Sequence, residues 1–252
     1  MVVGELDQQD RLAYRLLGRF AEAAAAVKEA RRKTEGEPGW LNTVVARVSL
    51  TMLRTRHQGG FGMPDPVVSA GPNNEVGLGV LTALDALTPD ERVAFVLHDM
   101  FQEPFEQVAP LIGRTPLGAL QVEARARKRV SNRPVSDVGL TEQREVIDAF
   151  MRGSDVLDPD VTLRSEEIWL RGHGMVAPKA ALLQAPCMEP AVVGGEAGLV
   201  SMVEDKPFAL VSFTVREGRI AAIHAITDRE HVRRLFARTT HTGPAGFPQN
   251  QQ

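Results

Sequence analysis

Residues 87–100, LTPDERVAFVLHDM, contain the start of a well-marked helix. Thr88 and Glu91 have the spacing of a capping box, in which each side chain accepts a hydrogen bond from the backbone N–H of the other residue. Pro89 lies at the first helical position, where its missing N–H is not needed. Apolar residues then recur at helical spacing, namely Val93, Val96, Leu97 and Met100.

The next 30 residues contain similar signals for helix starts and turns. The sequence predicts a short helix over 105–112, and Gly113 then turns the chain. Thr115 caps a second helix, with Pro116 at its first position, that continues to about Val130. A helix, a tight glycine turn and a capped second helix are typical of the helix-turn-helix motif.

Five segments are predicted around this motif. They are a helical domain at 1–57, a glycine- and proline-rich linker at 58–78, the helix-turn-helix domain at 79–133, an α+β domain at 142–238 and a disordered tail at 239–252. In the α+β domain a helix at 142–151 precedes strand-like runs and a closing helix. Glu217 and Gly218 lie between the last two runs and predict a hairpin. We therefore expect a multidomain chain, all-α and then α+β with a curved antiparallel sheet.

Composition excludes several classes of protein. The 252 residues carry a net charge of -3 and a single cysteine, Cys187, so an internal disulfide and a multi-cysteine metal site are excluded. The apolar runs are too short for a membrane span, and the first residues lack the pattern of a secretory signal. We expect a cytoplasmic protein that uses no cofactor and no metal. Within residues 111–134, however, 6 basic residues face 1 acidic residue, and such a patch is either a nucleic-acid contact or a solvated helix face.

Several stretches resemble extracytoplasmic-function sigma factors. AYRLLG at 13–18 and WLNTVVAR at 40–47 resemble region two, and residues 84–99, 104–114 and 124–130 resemble region four. SFTV at 212–215 with GRI at 218–220 resembles the last hairpin of a SnoaL-like domain, as in the sigma-J type. The resemblance implies binding to core RNA polymerase and promoter DNA, tuned by the SnoaL-like domain through the linker, with no membrane contact.

Two departures from the family pattern concern the polymerase grip and the linker. Where the family usually has Asp-x-x-Gln, this chain has Ala25 and Lys28, followed by Arg31 and Arg32. Where the family linker has Trp-Leu-Pro-Glu-Pro, residues 62–66 read GMPDP.

The second helix of the motif combines a core stripe with an unusual outer face. Helical spacing places Ala119, Val122, Ala126 and Val130 toward the core. The opposite face then carries apolar residues where bases are normally read, since Leu117, Leu120 and Ala124 accompany Gln121 and Lys128. We therefore expect mainly electrostatic, salt-sensitive DNA binding that varies little with sequence. The candidate DNA contacts are Arg114, Thr115, Gln121, Arg125, Arg127 and Lys128.

The SnoaL-like domain suggests an alternative function. Domains of this type include enzymes, so the chain could be a sigma-derived scaffold that acts as an acid–base cyclase, isomerase or hydrolase on a small hydrophobic biosynthetic intermediate. A ligand-binding regulator without catalysis is the third reading. His224 alternates with Ala222 and Ile226 and is expected to point into the cone, although a core histidine without a function would show the same pattern. The candidate catalytic residues are His224, His173, Glu166, Arg164 and Trp169, while Cys187 is expected to be buried.

The apolar outer face leads to an architectural expectation. Exposed apolar stripes tend to be covered. We expect either the face of Leu117, Leu120 and Ala124 or the linker around residues 63–66 to pack against the C-terminal sheet.

Overall fold

The computed structural model describes residues 7–34, 41–56, 62–69, 76–131, 135–184, 187–204 and 206–239. These residues form two compact units. The helical unit contains the described parts of residues 4–65 and 81–133, and the sheet unit contains those of 66–80 and 134–252. The predicted linker at 58–78 is thus divided between the two units.

The helical unit is built from seven helices within the described residues. Helices α1 (Gln8–Leu17), α2 (Phe20–Thr34) and α3 (Leu41–Arg56) pack around a shared apolar core. Helix α3 also contacts α5 (Pro89–Phe95) and α6 (Phe105–Ile112). Helix α4 (Leu78–Asp85) crosses the boundary between the units, and α7 (Pro116–Ser131) packs against α5 and α6.

The helix starts and turns of the motif are those that the sequence predicts. The Thr88 side chain accepts a hydrogen bond from the Glu91 backbone, and the Glu91 carboxylate accepts one from the Thr88 backbone. Gly113 has a φ of 67°, the left-handed conformation that ends α6. The helix-turn-helix is therefore confirmed. One local difference is a π-helical turn at Val96–Met100, which directly continues α5.

The sheet unit contains a seven-stranded sheet in the order β1-β4-β5-β6-β7-β2-β3. Most neighbours are antiparallel, but β2 and β7 are parallel. Helices α8 (Leu140–Met151), α9 (His173–Ala180) and α10 (Arg229–Thr239) pack on the sheet. The strands are β1 (Val68–Ser69), β2 (Leu157–Arg164), β3 (Trp169–Arg171), β4 (Met188–Val193), β5 (Glu196–Val203), β6 (Lys206–Arg216) and β7 (Arg219–Ile226).

The two faces of the sheet are buried in different ways. On one face Val211 and Phe213 of β6 join an apolar core with Ile147 and Phe150 of α8. Because successive strand residues point to opposite faces, Ser212 and Thr214 lie on the other face. That second face is covered in part by α10 and by residues 76–79 of the chain that leads into α4.

The all-α part followed by an α+β part confirms the predicted fold class. The predicted tail at 239–252 lies outside the described residues, apart from the end of α10 at Thr239. Within the described residues, no helix has the length and apolar character that crossing a membrane requires.

Candidate nucleic-acid interface and a buried carboxylate

Helix α7 presents the two faces that its sequence predicts. Ala119, Val122 and Ala126 are buried against the rest of the motif. On the opposite face Leu117 is 67% exposed and Leu120 is 45% exposed. The rest of the helical unit therefore leaves both leucines uncovered.

The candidate DNA contacts all lie on the exposed side of the motif. Arg114, Thr115, Gln121, Arg125, Arg127 and Lys128 are each exposed. The Thr115 hydroxyl accepts a hydrogen bond from the Gly118 backbone at 3.2 Å and so caps α7.

Two arginines at the end of α7 are held by carboxylates of the same unit. Arg127 pairs with Asp99 and, at 2.8 Å, with Glu123, and Arg129 pairs with Glu91 at 2.7 Å. These contacts anchor the end of α7 to α5 and to the π-helical turn. Among the candidate phosphate contacts, Arg127 pairs with two carboxylates, which partly neutralise its positive charge.

The face of α2 that carries the altered polymerase grip is also exposed. Ala25 and Lys28 both point to solvent. Arg31 pairs with Asp7 at 2.6 Å, and Arg32 pairs with Glu29 at 2.9 Å. Hydrogen bonds from Arg32 and Lys33 lower the pKa of Glu29 to about 2. Arg31 and Arg32 are thus both paired with carboxylates of the helical unit.

The linker residues 63–65 belong to the helical unit. The Tyr14 hydroxyl donates to the Asp65 carbonyl at 2.6 Å, and the Asp65 carboxylate accepts from the Phe20 backbone at 2.9 Å. The Asp65 backbone N–H also donates to the Gly18 carbonyl. The expectation that residues 63–66 pack on the C-terminal sheet is therefore wrong for 63–65, and the sheet is instead joined by residues 68–69.

The structure brings Arg164 and His224 together on the sheet. They face each other in the parallel register of β2 and β7, and His224 faces Ser212 on β6. His224 is buried, as expected, but it lies on the face opposite the apolar core beneath α8 and α9. The expectation that it points into that core is wrong, because the core face is taken by Ile223 and Ala225.

The other three candidates of the alternative function each have surroundings of their own. Glu166 accepts hydrogen bonds from the Thr227 backbone and hydroxyl, and its Oε1 lies 3.8 Å from His231 Nδ1. Burial alone would raise the pKa of Glu166, but the hydrogen bonds from His231 and Thr227 outweigh it and lower the pKa. Trp169 is exposed on the edge strand β3, and His173 pairs with Asp155 at the start of α9.

Sequence reasoning missed a half-buried glutamate, Glu196, whose carboxylate accepts several hydrogen bonds at the start of β5. Its Oε1 accepts a hydrogen bond from Ser136 at 3.1 Å, and its Oε2 accepts one from Ser212 at 3.2 Å. Thr214 and the Gly79 backbone also donate to it. The signal in the sequence is a single glutamate inside GGEAG at 194–198, where β-sheet residues are otherwise small or apolar.

Glu196 holds the chain on both sides of the helix-turn-helix. Gly79 precedes that motif and Ser136 follows it, and both donate to this one carboxylate. The fit is close, since a Cβ at Gly77 would lie 3.0 Å from Glu196 Oε2. A Cβ at Gly79 would lie 3.2 Å from Thr214 Oγ1 and 3.5 Å from His224 Cε1. We call Glu196, Ser136, Ser212, Thr214 and Gly79 the Glu196 cluster.

The Glu196 cluster predicts a pH dependence of stability. Burial raises the pKa of Glu196, although its hydrogen bonds oppose this rise. A raised pKa in the folded state means that the stabilisation is complete below the ordinary glutamate pKa and is lost as pH rises through the folded-state pKa. Glu196→Gln removes the titrating group, so the variant is expected to gain thermal stability over the wild type as pH rises.

Thermal unfolding from about pH 4 to about pH 8 measures this difference. Glu189→Gln, which replaces an exposed glutamate on β4, controls for the loss of one carboxylate. Parallel stability curves for Glu196→Gln and the wild type across this range would contradict the assignment.

Comparison with known proteins relates most of the chain to sigma factors. No family model matches it. The chain is 34% identical over 188 residues to the ECF RNA polymerase sigma factor SigJ of Mycobacterium tuberculosis, a match covering 62% of this chain and 60% of SigJ. The chain thus matches less than two thirds of the length of that relative. It is also 24% identical over 254 residues to the probable ECF sigma factor SigI of that species, covering 85% of this chain and 88% of SigI.

Comparison of structures extends the similarity to SigJ over a larger part of the chain. The crystal structure of Mycobacterium tuberculosis SigJ superposes with a TM-score of 0.71 at 28% identity and covers 88% of this chain and 94% of that one. In sequence and in structure, the chain is similar to extracytoplasmic-function sigma factors of the sigma-J type. We use the labels of that family as names only: region two for α1–α3, region four for α4–α7, and SnoaL-like domain for the sheet unit.

The departures from the sigma-factor pattern lie on surfaces of the helical unit. Region four keeps the capping box, the Gly113 turn and the core stripe of α7. The changes at Ala25, Lys28 and Leu120 are all at exposed positions. They therefore alter the surfaces of the sigma fold and not its core.

Proposed function

We propose that this protein acts in transcription initiation as a sigma factor, binding core RNA polymerase and promoter DNA in the cytoplasm. The observation that carries the proposal is the open face of α7. Leu117, Leu120 and Gln121 are exposed on a helix that, in a helix-turn-helix, enters the major groove. A chain of this family whose reading helix is uncovered is suited to DNA binding.

The charges around α7 support the same function. Arg114 lies in the turn before the helix, and Arg125 and Lys128 lie near its end, all exposed. Such residues suit phosphate contacts, which set the position of a protein on the duplex. Since each phosphate contact releases bound cations, the proposed DNA binding should weaken steeply with salt.

The polymerase contact is proposed for the exposed face of α2. Ala25 and Lys28 offer neither the carboxylate nor the amide acceptor of the family pattern, so we expect a weakened but existing complex. Gel filtration of the full chain with core polymerase from the host bacterium tests the proposal. Co-elution at micromolar concentration is expected.

Restoring the family pattern should strengthen that complex. The double variant Ala25→Asp, Lys28→Gln returns two acceptors at exposed positions, where the fold tolerates both side chains. One charge-assisted hydrogen bond contributes about 1.5–3 kcal/mol, so polymerase affinity is expected to rise about tenfold or more. Titration of labelled protein against core polymerase measures the change.

A matched control separates position from charge. Lys179→Gln with Ala181→Asp makes the same exchange of residues at exposed positions of the sheet unit and should leave affinity unchanged. If neither the wild type nor the restored variant binds polymerase, the proposed function is wrong.

The sheet unit is proposed to modulate this activity through the chain that enters region four. Residues 77–79 lie against Glu196 and Thr214, and Ser136 joins the same carboxylate. Glu196 thereby fixes the chain before and after region four on the SnoaL-like sheet. Any rearrangement of those segments requires these hydrogen bonds to break.

A second candidate, acid–base chemistry or ligand binding in the sheet unit, is favoured by one observation. Glu196 is half-buried near Ser212, Thr214 and His224, and desolvation raises its pKa. Groups with shifted pKa values cluster at functional sites. Residues 77–79 lie on this cluster, so a ligand would have to displace them. Native mass spectrometry of the purified full chain separates the candidates, since a retained small molecule would favour the second.

A further inference from the structure

We propose that α7 recognises A·T base pairs through the methyl groups of thymine, which contact Leu117 and Leu120. This inference rests on the proposed DNA binding and specifies which sequence that binding selects. It differs from the expectation of sequence-independent binding because both leucines are exposed on the face that a helix-turn-helix turns to the bases.

The geometry places the two leucines at neighbouring base pairs. Leu117 and Leu120 are three residues apart and therefore lie on one face of α7. Their separation along the helix axis is about 4.5 Å, close to the spacing of about 3.4 Å between successive bases of one strand. Gln121 and Ala124 continue the same exposed face toward the middle of the helix.

The chemistry of this face matches A·T pairs. In the major groove the thymine methyl is the apolar group of the base edges, and apolar side chains contact it. Gln121 can form two hydrogen bonds with an adenine edge. Placing a leucine on the polar edges of a G·C pair would instead leave their hydrogen-bonding groups without partners, which is unfavourable.

Charge complementarity indicates duplex DNA as the occupant of this surface. The exposed side chains from Arg114 to Lys128 are basic, polar or apolar, and the carboxylate in this stretch, Glu123, is buried. Arg114 at one end and Arg125 and Lys128 at the other are exposed on both sides of the leucines. An apolar centre with basic ends suits base edges lying between two phosphate backbones.

The experiment selects duplexes from a randomised DNA pool with the full chain at low salt. Sites containing A·T steps are expected. Replacing the selected thymines with deoxyuridine, which lacks the methyl group, should then weaken binding about 3- to 10-fold. The Leu120→Ala variant should lose most of this discrimination, whereas Leu182→Ala, at an exposed leucine of the sheet unit, should keep it.

The other possible outcomes distinguish a failure of this inference from a failure of the proposed function. Deoxyuridine at flanking positions controls for changes in duplex flexibility. A selected G·C site that is indifferent to deoxyuridine overturns this inference but leaves the proposed sigma function standing. Retention of polymerase without retention of any duplex also overturns it, and indicates an acidic protein partner for α7. Loss of both polymerase and duplex binding overturns the proposed function itself.

Discussion

Replacing Asp85 with alanine is expected to lower the free energy of unfolding of the helical unit by about 3–5 kcal/mol. Asp85 receives a hydrogen bond from Arg92 and lies 3.5 Å from Arg56. Arg92 is only 2% exposed, and its Nε and Nη2 have no hydrogen-bond partner among the described residues. Burial lowers the pKa of Arg92, and Asp85 opposes this shift. Without Asp85 a buried charge would lose its main counterion.

Urea unfolding followed by far-UV circular dichroism measures the loss. Asp90→Ala is the matched control, since Asp90 pairs with Arg54 at the surface and such pairs contribute at most about 1 kcal/mol. Equal losses for the two variants would show that Arg92 does not depend on Asp85. Because Arg92 belongs to region four and Arg56 to region two, the same variant tests the packing between these helices.

Gly194→Ala is expected to lower the stability of the sheet unit by about 2–5 kcal/mol. Gly194 has a φ of 59°, and its added Cβ would lie 2.7 Å from the Val76 carbonyl and 3.0 Å from Gly77 Cα. The left-handed conformation costs an alanine about 1–2 kcal/mol, and overpacking against backbone adds about 1–3 kcal/mol. The chain entering region four would have to move away from the turn between β4 and β5.

Gly218→Ala separates the cost of the left-handed backbone conformation from the cost of overpacking. Gly218 has a φ of 72° but no atom within 4 Å of its added Cβ, so only the conformational cost applies. Denaturation gives the loss of stability for each variant, and hydrogen exchange at residues 76–79 reports the displacement. An equal loss in both variants, with unchanged exchange, would contradict the close approach of Val76 to Gly194.

The helix-turn-helix could be predicted in detail because its signals are local. Thr88 and Glu91 lie three residues apart, and Gly113 can adopt a positive φ because it is a glycine. The buried apolar residues of α7 recur at helical spacing within one helix. The hairpin at Glu217 and Gly218 can be predicted for the same reason, and these two residues join β6 to β7.

The missed features depend on partners that are distant in the sequence. Strand β1 has two residues in a glycine- and proline-rich stretch, and its pairing with β4 gives it a strand conformation. Glu196 is withdrawn from solvent in part because Ser136, Ser212 and Gly79, all distant in the sequence, donate hydrogen bonds to it. Cys187, expected to be buried, is exposed, since it lies outside β4 near the sheet edge. No local pattern carries this information.

The pairing of Val68 with Val193 imposes an order on the synthesis of this protein. Strand β1 is synthesised before region four, yet its partner β4 follows region four in the chain. The nascent chain must therefore keep residues 68–69 without their β4 partner while region four is translated. A C-terminal fragment beginning after region four would lack β1 and would leave the outer edge of β4 open, a surface prone to pairing with other chains.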